Sequence, residues 1–408
     1  MKTNRNFTLI LFGQIISLFG NSIQRFSLSL YILDLTGNAS IYGNILALSI
    51  LPYIFLAPIA GIIADNYNKK YMMIILDVVS GILLLLFYTC LIYDIKSVII
   101  IALVMILLSA ISSCYNPVVT ACIPQVVQPE NLHIANSYVS QVNSWSNILG
   151  PVLGGVFYGL FGIKIIIIFN AISFLFSAIL EYFIKIPKTE KPQKKSLNLI
   201  SSYSHMINTW KILRKKHITT SGIILSYCMY NICIVPINSI LLPTIMNLYF
   251  NISSKVYGII EGIIAGGMLF SGFLITLKPK WFNFKIHYKW NYLMPISILF
   301  MGTLLLIIPK HFLNIITITL GGIIIMFCLG IGNIITLTYI QTSVPSKILG
   351  SVSALSTAVA TASVPVGQVI FGYLMESNIN IGTILIFSSI ISLLVCNYVK
   401  WNIKRDEL

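Results

Sequence analysis

Long apolar runs alternate with short polar segments along the whole chain. Each run holds about twenty residues, the length that a helix needs to cross the roughly 30 Å hydrocarbon core of a bilayer. The pattern therefore predicts about twelve membrane-spanning helices. The predicted spans lie at residues 9–33, 42–63, 72–93, 98–121, 134–160, 164–185, 219–247, 256–277, 292–308, 313–338, 349–374 and 381–399.

The longest polar segment separates the predicted spans into two groups of six. It is rich in lysine and includes an amphipathic piece near residues 203–213. We predict an N-terminal six-helix bundle over residues 1–186, a cytoplasmic central loop over 187–217 and a C-terminal six-helix bundle over 218–408. The expected fold class is an all-α polytopic membrane protein built from two pseudo-repeat bundles.

A weak internal repeat supports two related halves. The segment Ile123–Leu132, which opens the fifth span, is echoed by Gln341–Leu349 at the opening of the eleventh. Further along, the Gly150-Pro151 pair is answered by Pro365. Matches at equivalent places in both halves favour duplication over chance.

Composition excludes a soluble protein. Charged residues make up 9% of the chain and hydrophobic residues 57%, with a mean hydropathy of +0.90, whereas soluble domains are about a quarter charged. The first apolar run continues past a signal-peptide core without a clear cleavage site, so we expect it to be retained. The chain has no P-loop, no HExxH motif and no cysteines at metal-ligand spacing. We therefore expect neither an enzyme nor a bound cofactor or metal.

The net charge of +15 reflects membrane topology and does not indicate a nucleic-acid partner. Twenty-one of the 26 basic residues lie in alternate loops or at the termini. The intervening loops hold Lys96, Lys164, Lys255 and Lys310. Because basic residues concentrate on the cytoplasmic side, this asymmetry predicts that both termini are cytoplasmic.

The loop between the second and third spans is short and charged, with the pattern Gly61-x-x-x-Asp65-x-x-x-Lys69-Lys70. An acid at a helix end can accept hydrogen bonds from the N-terminus of a neighbouring helix and from basic side chains. Asp65, with Lys69 and Lys70, could thus form a latch that holds one conformation closed and releases it in another. The alternative is a plain topogenic turn, which needs no aspartate at the membrane edge.

The fifth span carries a helix-packing motif of Gly150, Pro151, Gly154 and Gly155. Glycines four residues apart let two helices approach closely, and the proline removes a backbone donor and bends the helix. The alternatives are ordinary helix packing and a role in function.

Few charges lie inside the predicted spans, and each is a functional candidate because a charge at the bilayer centre costs about 3 kcal/mol. These candidates are Arg25, Asp77 and Glu261, whereas Asp34, Glu376 and Glu181 lie near span ends that water can reach. Arg25 and Asp77 could form a structural ion pair or serve transport. Glu261 has no basic residue nearby in its own span, and Gly262 and Gly266 follow it on a face suited to close packing.

Several motifs together resemble those of the major facilitator superfamily. They are the Asp65 loop, the glycine-proline motif, Gly20-Asn21-Ser22-Ile23, Leu35-Thr36-Gly37-Asn38-Ala39, Leu51-Pro52, Asp77, Pro129-Glu130-Asn131-Leu132 and Asn170-Ala171-Ile172-Ser173-Phe174. The set is similar to the bacterial macrolide-efflux-type and siderophore-export-type branch. Two departures are Asn21, where that branch usually has aspartate, and the lack of an arginine near Leu108.

The resemblance implies a secondary transporter in a bacterial plasma membrane that exchanges an amphipathic small molecule, such as an antibiotic, for protons. Glu261 is the first candidate for the coupling acid and Asp77 the second, with Arg25 as a partner for Asp77. The expected partners are the substrate, protons and the lipid bilayer, and the expected state is a monomer. The alternatives are a facilitator or importer of the same fold, and a receptor or scaffold that has lost transport.

Overall fold

The computed structural model describes residues 5–128, 131–185, 199–309 and 311–405, with side-chain environments given except at 57–66, 133, 199–206, 216, 346, 347 and 350. Within these residues the chain is helical and contains no strand. The helices are α1 (Arg5–Thr36), α2 (Ala39–Asn66), α3 (Lys69–Ile92), α4 (Val98–Val126), α5 (Leu132–Tyr182), α6 (Leu199–Lys216), α7 (Ile218–Cys233), α8 (Leu242–Thr244), α9 (Ser254–Leu277), α10 (His287–Asn291), α11 (Leu293–Ile307), α12 (Phe312–Ser343), α13 (Ser346–Glu376) and α14 (Ile381–Arg405).

Eleven helical stretches of the described chain are long and apolar enough to cross a membrane. One of them, α5, has 51 residues and includes Gly162 with a φ of 70° and a ψ of 174°. A straight helix of that length would be about 77 Å long, far more than a bilayer is thick. Since that backbone geometry is not helical, α5 is two spans joined at Gly162, where a positive φ favours glycine. The predicted all-α fold with twelve spans is thus confirmed.

By their contacts the residues group into two units. Unit 1 consists of Met1–Thr36, Leu48–Leu199 and Ser253–Ile259, and unit 2 of Gly37–Ala47, Ile200–Ile252 and Ile260–Leu408. The first residues of α2 therefore group with unit 2, and those of α9 with unit 1. In unit 1, α5 packs along α1 and α3, around a core that includes the fully buried Ile10, Met73 and Val118.

A helix, α6, occupies much of the polar segment predicted as a central loop. Its Leu213 is fully buried in unit 2 against Ile224, Ile340 and Val352. An amphipathic helix gains stability by burying its apolar side in this way. Residues 186–198 of the same segment lie outside the described residues.

The seventh span is irregular. After α7 it continues through π-helical turns at Ile237–Leu241 and Ile245–Tyr249, on either side of the short α8. Pro236 and Pro243 lie in this stretch, and a proline inside a helix removes a backbone donor and disturbs the regular hydrogen bonding.

Candidate functional site

Asp77 lies inside unit 1, on the face of α3 that packs against α5. Its side chain is 2% exposed, beside Ser177 of α5. Among the described residues, Asp77 Oδ2 has no hydrogen-bond partner. The predicted ion pair with Arg25 is wrong, because no basic side chain of the described residues forms an ion pair with Asp77. This acid is therefore buried among neutral neighbours and the second acid described next.

Glu181 lies near the end of α5 and is fully buried. The sequence interpretation that water reaches this residue is wrong, because α4 covers it. The Tyr115 hydroxyl of α4 donates a hydrogen bond of 2.7 Å to Glu181 Oε1. Glu181 Oε2 has no hydrogen-bond partner among the described residues. Glu181 follows Ser177, the neighbour of Asp77, by one turn of α5, so unit 1 holds two neighbouring buried acids.

The other two candidates within spans have different surroundings. The Arg25 side chain on α1 is exposed, and that of Glu261 on α9 is half-buried. Both residues interact with other residues. Asp77 and Glu261 therefore differ in burial. A carboxyl loses far more hydration free energy when it is fully buried than when it is half-buried.

The charged loop predicted to form a latch joins α2 to α3. Asn68 caps α3, because its side-chain oxygen accepts hydrogen bonds from the backbone N–H groups of Lys70 at 3.1 Å and Tyr71 at 3.4 Å. The Lys70 ammonium group lies 5.2 Å from the centre of the Tyr182 ring. Lys69 is half-buried. The Asp65 side chain lies outside the described residues.

The glycine motif of the fifth span packs against α1. A Cβ at Gly150 would clash with the Ser22 side chain, and a Cβ at Gly154 would lie 2.8 Å from the backbone oxygen of Ile23. The Ser27 hydroxyl of α1 donates a 3.0 Å hydrogen bond to the Gly154 carbonyl oxygen. The two helix backbones are close enough here that a side chain at either glycine would have to separate them.

The motif has a second partner within unit 1, the beginning of α9. A Cβ at Gly155 would clash with the backbone of Gly258, and a Cβ at Gly258 would lie 2.6 Å from the Cα of Gly155. One turn later, a Cβ at Gly159 would lie 2.6 Å from the backbone nitrogen of Lys255. This contact places the backbones of α5 and α9 against each other with no side chain between them.

Acidic side chains lie beside the beginnings of α9 and α2. In unit 1, Asp34 Oδ2 accepts hydrogen bonds from the Tyr158 hydroxyl at 2.8 Å and the Ser254 hydroxyl at 3.3 Å. In unit 2, Glu376 Oε1 accepts a hydrogen bond of 2.7 Å from the Ala39 backbone N–H. Carboxylates stabilise helix N-termini through such bonds and through the helix dipole.

Unit 1 also contains an apolar cavity of about 600 Å³ between α1 and α5, which is open on one side, where Phe161 and Phe169 are exposed. Its aromatic wall comes from Phe157, Phe161 and Phe169 around the bend at Gly162, and its polar end from Asn170 and Ser173. The Asn170 side-chain amide donates a hydrogen bond to Gln24 Oε1. A cavity with aromatic walls and few polar groups suits an amphipathic ligand. The sequence motif contained Asn170 and Ser173 but gave no sign of the aromatic wall.

A smaller cavity of about 100 Å³ lies in unit 2, and two of the polar residues that line it are Asn231 and Asn333. Asn291, 2% exposed, also lines it, and its Oδ1 has no hydrogen-bond partner among the described residues. Among the described residues, no group of three or more His, Cys, Asp or Glu side chains could hold a metal ion.

Comparison with known proteins agrees, over most of the chain, with the family that the sequence motifs resemble. The sequence model described as Major Facilitator Superfamily matches residues 10–368. Macrolide efflux protein A of Streptococcus pyogenes is 25% identical over 369 residues, which cover 88% of this chain and 86% of that protein. Macrolide efflux protein A of Enterococcus faecalis is 25% identical over 331 residues, covering 78% of this chain and 96% of the relative.

Among solved structures, a bacterial homologue of the iron transporter ferroportin in an inward-facing state has a similar fold. The TM-score is 0.74 and the identity is 16%, with 98% of this chain and 100% of that chain covered. At that identity the likeness concerns the fold alone.

Proposed function

The chain belongs to the major facilitator superfamily, and on that premise we propose that it is a proton-coupled exporter of an amphipathic small molecule of the drug or antibiotic class. It is a multi-pass membrane transporter and not an enzyme. The observation that carries export is the similarity to two proteins named for macrolide efflux, each matched over most of its length. The apolar cavity of unit 1, with its single polar end, supports an amphipathic substrate.

Proton coupling is supported by the acids in the spans. A transported ion drives a carrier only if its affinity differs between the conformations that face opposite sides. A carboxyl in a low-dielectric setting can meet this condition, because a modest change in its surroundings changes the free energy of its ionised form. We place Asp77 ahead of Glu261 as the coupling acid, because Asp77 is 2% exposed and Glu261 is half-buried. Arg25 stays a candidate as the intramembrane cation.

The proposal includes the setting of the protein. The asymmetry of basic residues favours cytoplasmic termini, and the bacterial relatives favour the plasma membrane as its location. We propose that the transporter works as a monomer, with residues 1–186 and 218–408 as its two six-helix halves. A facilitator would need no coupling acid, whereas a proton-coupled importer would need one, and a scaffold would need no cavity for a cargo.

Expression of the protein in a drug-sensitive bacterium is expected to raise resistance several-fold to some amphipathic antibiotics. A growth-inhibition panel of diverse compounds, macrolides among them, measures the effect, and direct efflux of a resisted compound should stop when the proton gradient is collapsed. Uptake that rises on expression would favour the importer. No change in the movement of any compound would favour the receptor.

The latch hypothesis predicts that Asp65→Asn lowers transport by about tenfold or more, which corresponds to about 1.4 kcal/mol. The substitution removes a charge that acts in one conformation and leaves the packing volume nearly unchanged. Initial transport rates in membrane vesicles measure this, after normalisation to the amount of inserted protein. Asp94→Asn is the matched control, because Asp94 forms an exposed ion pair with Lys96 at 3.1 Å. Equal rates for the two variants would reject the latch.

A further inference from the structure

A cluster of polar side chains is buried where α3, α4 and the end of α5 meet inside unit 1. It consists of Asp77, Tyr115, Ser177 and Glu181, and we call it the acidic cluster. Ser177 and Glu181 are fully buried, Asp77 is 2% exposed and Tyr115 is 6% exposed. All four lie in helices that are long and apolar enough to cross a membrane, and their burial leaves them little contact with solvent.

The hydrogen bonds of the acidic cluster are incomplete. Tyr115 donates to Glu181 Oε1 at 2.7 Å. Glu181 Oε2, Asp77 Oδ2 and the Ser177 hydroxyl have no hydrogen-bond partner among the described residues. Ser177 nevertheless lies beside the Asp77 carboxyl. Buried polar atoms in folded proteins are nearly always hydrogen-bonded, so three such atoms together need an explanation.

Within the described part of the chain, neither Asp77 nor Glu181 has a basic side chain in ion-pair contact. Helix α3 contributes Asp77, α5 contributes Glu181, and α4 contributes the Tyr115 hydroxyl and the Cys122 thiol. Helix α1 faces Tyr115 with the uncharged Ser17. The basic group nearby is Lys69, whose charge acts on Cys122. Two ionised carboxylates would repel each other in this buried setting and would also have lost much of their hydration.

We propose that Asp77 and Glu181 share one proton and together form the proton-binding site of the transporter. One carboxyl carries the proton and donates it to the other, which gives both Asp77 Oδ2 and Glu181 Oε2 a hydrogen-bonding role. The cluster then has one negative charge instead of two, as in other carboxyl pairs that hold a proton between them. Tyr115 is a positioning residue, because it fixes the orientation of Glu181. This inference rests on the proposed proton coupling and adds Glu181 to it.

Infrared spectroscopy of the full-length protein in lipid nanodiscs tests the pair without substrate or gradient. A protonated carboxyl gives a C=O band that shifts in D₂O, and the parent protein is expected to show such a band at neutral pH. Glu181→Gln and Asp77→Asn should each shift or remove it, and the double variant should lack it. Tyr115→Phe should shift the band without removing it, and Asp94→Asn should leave it unchanged.

The outcomes separate this inference from the proposed function. A band that is absent in the parent protein, or unaffected by Glu181→Gln, overturns the shared proton even if drug export follows the pH gradient. A band that sodium ions abolish in the parent protein also overturns it, because the pair would then hold a metal cation. If export does not depend on the proton gradient but the band is present, the proposed coupling is rejected and the shared proton is kept.

A second measurement needs no variant. A membrane-permeant carbodiimide reacts with protonated carboxyls, and mass spectrometry of the treated protein locates the adduct. We expect labelling at Asp77 or Glu181 that decreases severalfold as the pH is raised. Labelling that reaches neither residue at any pH contradicts the proposal even if the substituted proteins prove unstable.

Discussion

Replacing Gly258 by alanine is expected to remove most of the transport activity, whereas the same change at Gly266 should leave it near that of the parent protein. Both glycines lie on α9. A Cβ at position 258 would lie 2.6 Å from the Cα of Gly155, while a Cβ at position 266 has nothing within 4 Å. Backbone atoms on both sides of the Gly155–Gly258 contact cannot rotate away as a side chain can. The conformation with that contact would therefore be disfavoured.

The expected size of the effect follows from the cost of overpacking. An extra methyl group in a closely packed interface costs about 1–3 kcal/mol, which changes the population of a conformation by about 5- to 150-fold. Alanine is also the better helix former, so Gly266→Ala should not lower stability. Efflux rates and thermal stability of the two purified variants measure this contrast. Equal efflux by Gly258→Ala and Gly266→Ala would show that the cycle does not depend on this contact.

The glycine motif shows how far the sequence leads. The spacing of Gly150, Gly154 and Gly155 predicts a close helix contact, but spacing within one helix does not tell which helix lies opposite. The structure shows two partners, α1 for Gly150 and Gly154 and α9 for Gly155. The sequence predicts a close-packing face of α9 at Gly262 and Gly266, and for Gly266 this prediction is wrong, because a Cβ there would have nothing within 4 Å.

Apolar runs predict the spans well because every backbone group in a bilayer must be bonded within its own helix. The same rule gives no information on irregular turns. Pro236 and Pro243 lie close to the π-helical turns of the seventh span. In the same stretch, the side-chain amides of Asn238 and Asn247 have no hydrogen-bond partner among the described residues. The two prolines alone do not predict this. Such unbonded amides depend on which neighbouring helices cover them.

The acids show the same limit. Counting residues from a span end placed Glu181 within reach of water, but burial depends on the neighbouring helices, and Tyr115 of α4 closes over it. Asp77 could be selected from the sequence because any charge in a span is costly. The sequence does not predict that Asp77 lies near Glu181, because about 100 residues separate them and only the packing of α3 on α5 brings them together.

Asp77→Asn is expected to abolish accumulation driven by a pH gradient while downhill movement of the substrate continues. Asparagine has nearly the shape of the protonated acid and cannot release a proton, so the carrier could still change conformation but would exchange no proton for its cargo. Everted membrane vesicles allow both measurements on the same preparation: substrate accumulation under an imposed gradient, and equilibration of preloaded substrate without one.

Glu261→Gln is the matched comparison, because it makes the same charge change at the half-buried acid of α9. If Asp77 is the coupling acid, the Glu261→Gln protein should retain part of its gradient-driven accumulation, since removing its charge leaves the Asp77 proton exchange in place. Accumulation lost in Glu261→Gln and kept in Asp77→Asn would transfer the role to Glu261. If both variants keep gradient-driven accumulation, proton antiport through either acid is contradicted. If the parent protein itself moves the substrate only downhill, whatever the pH gradient, the protein is a facilitator.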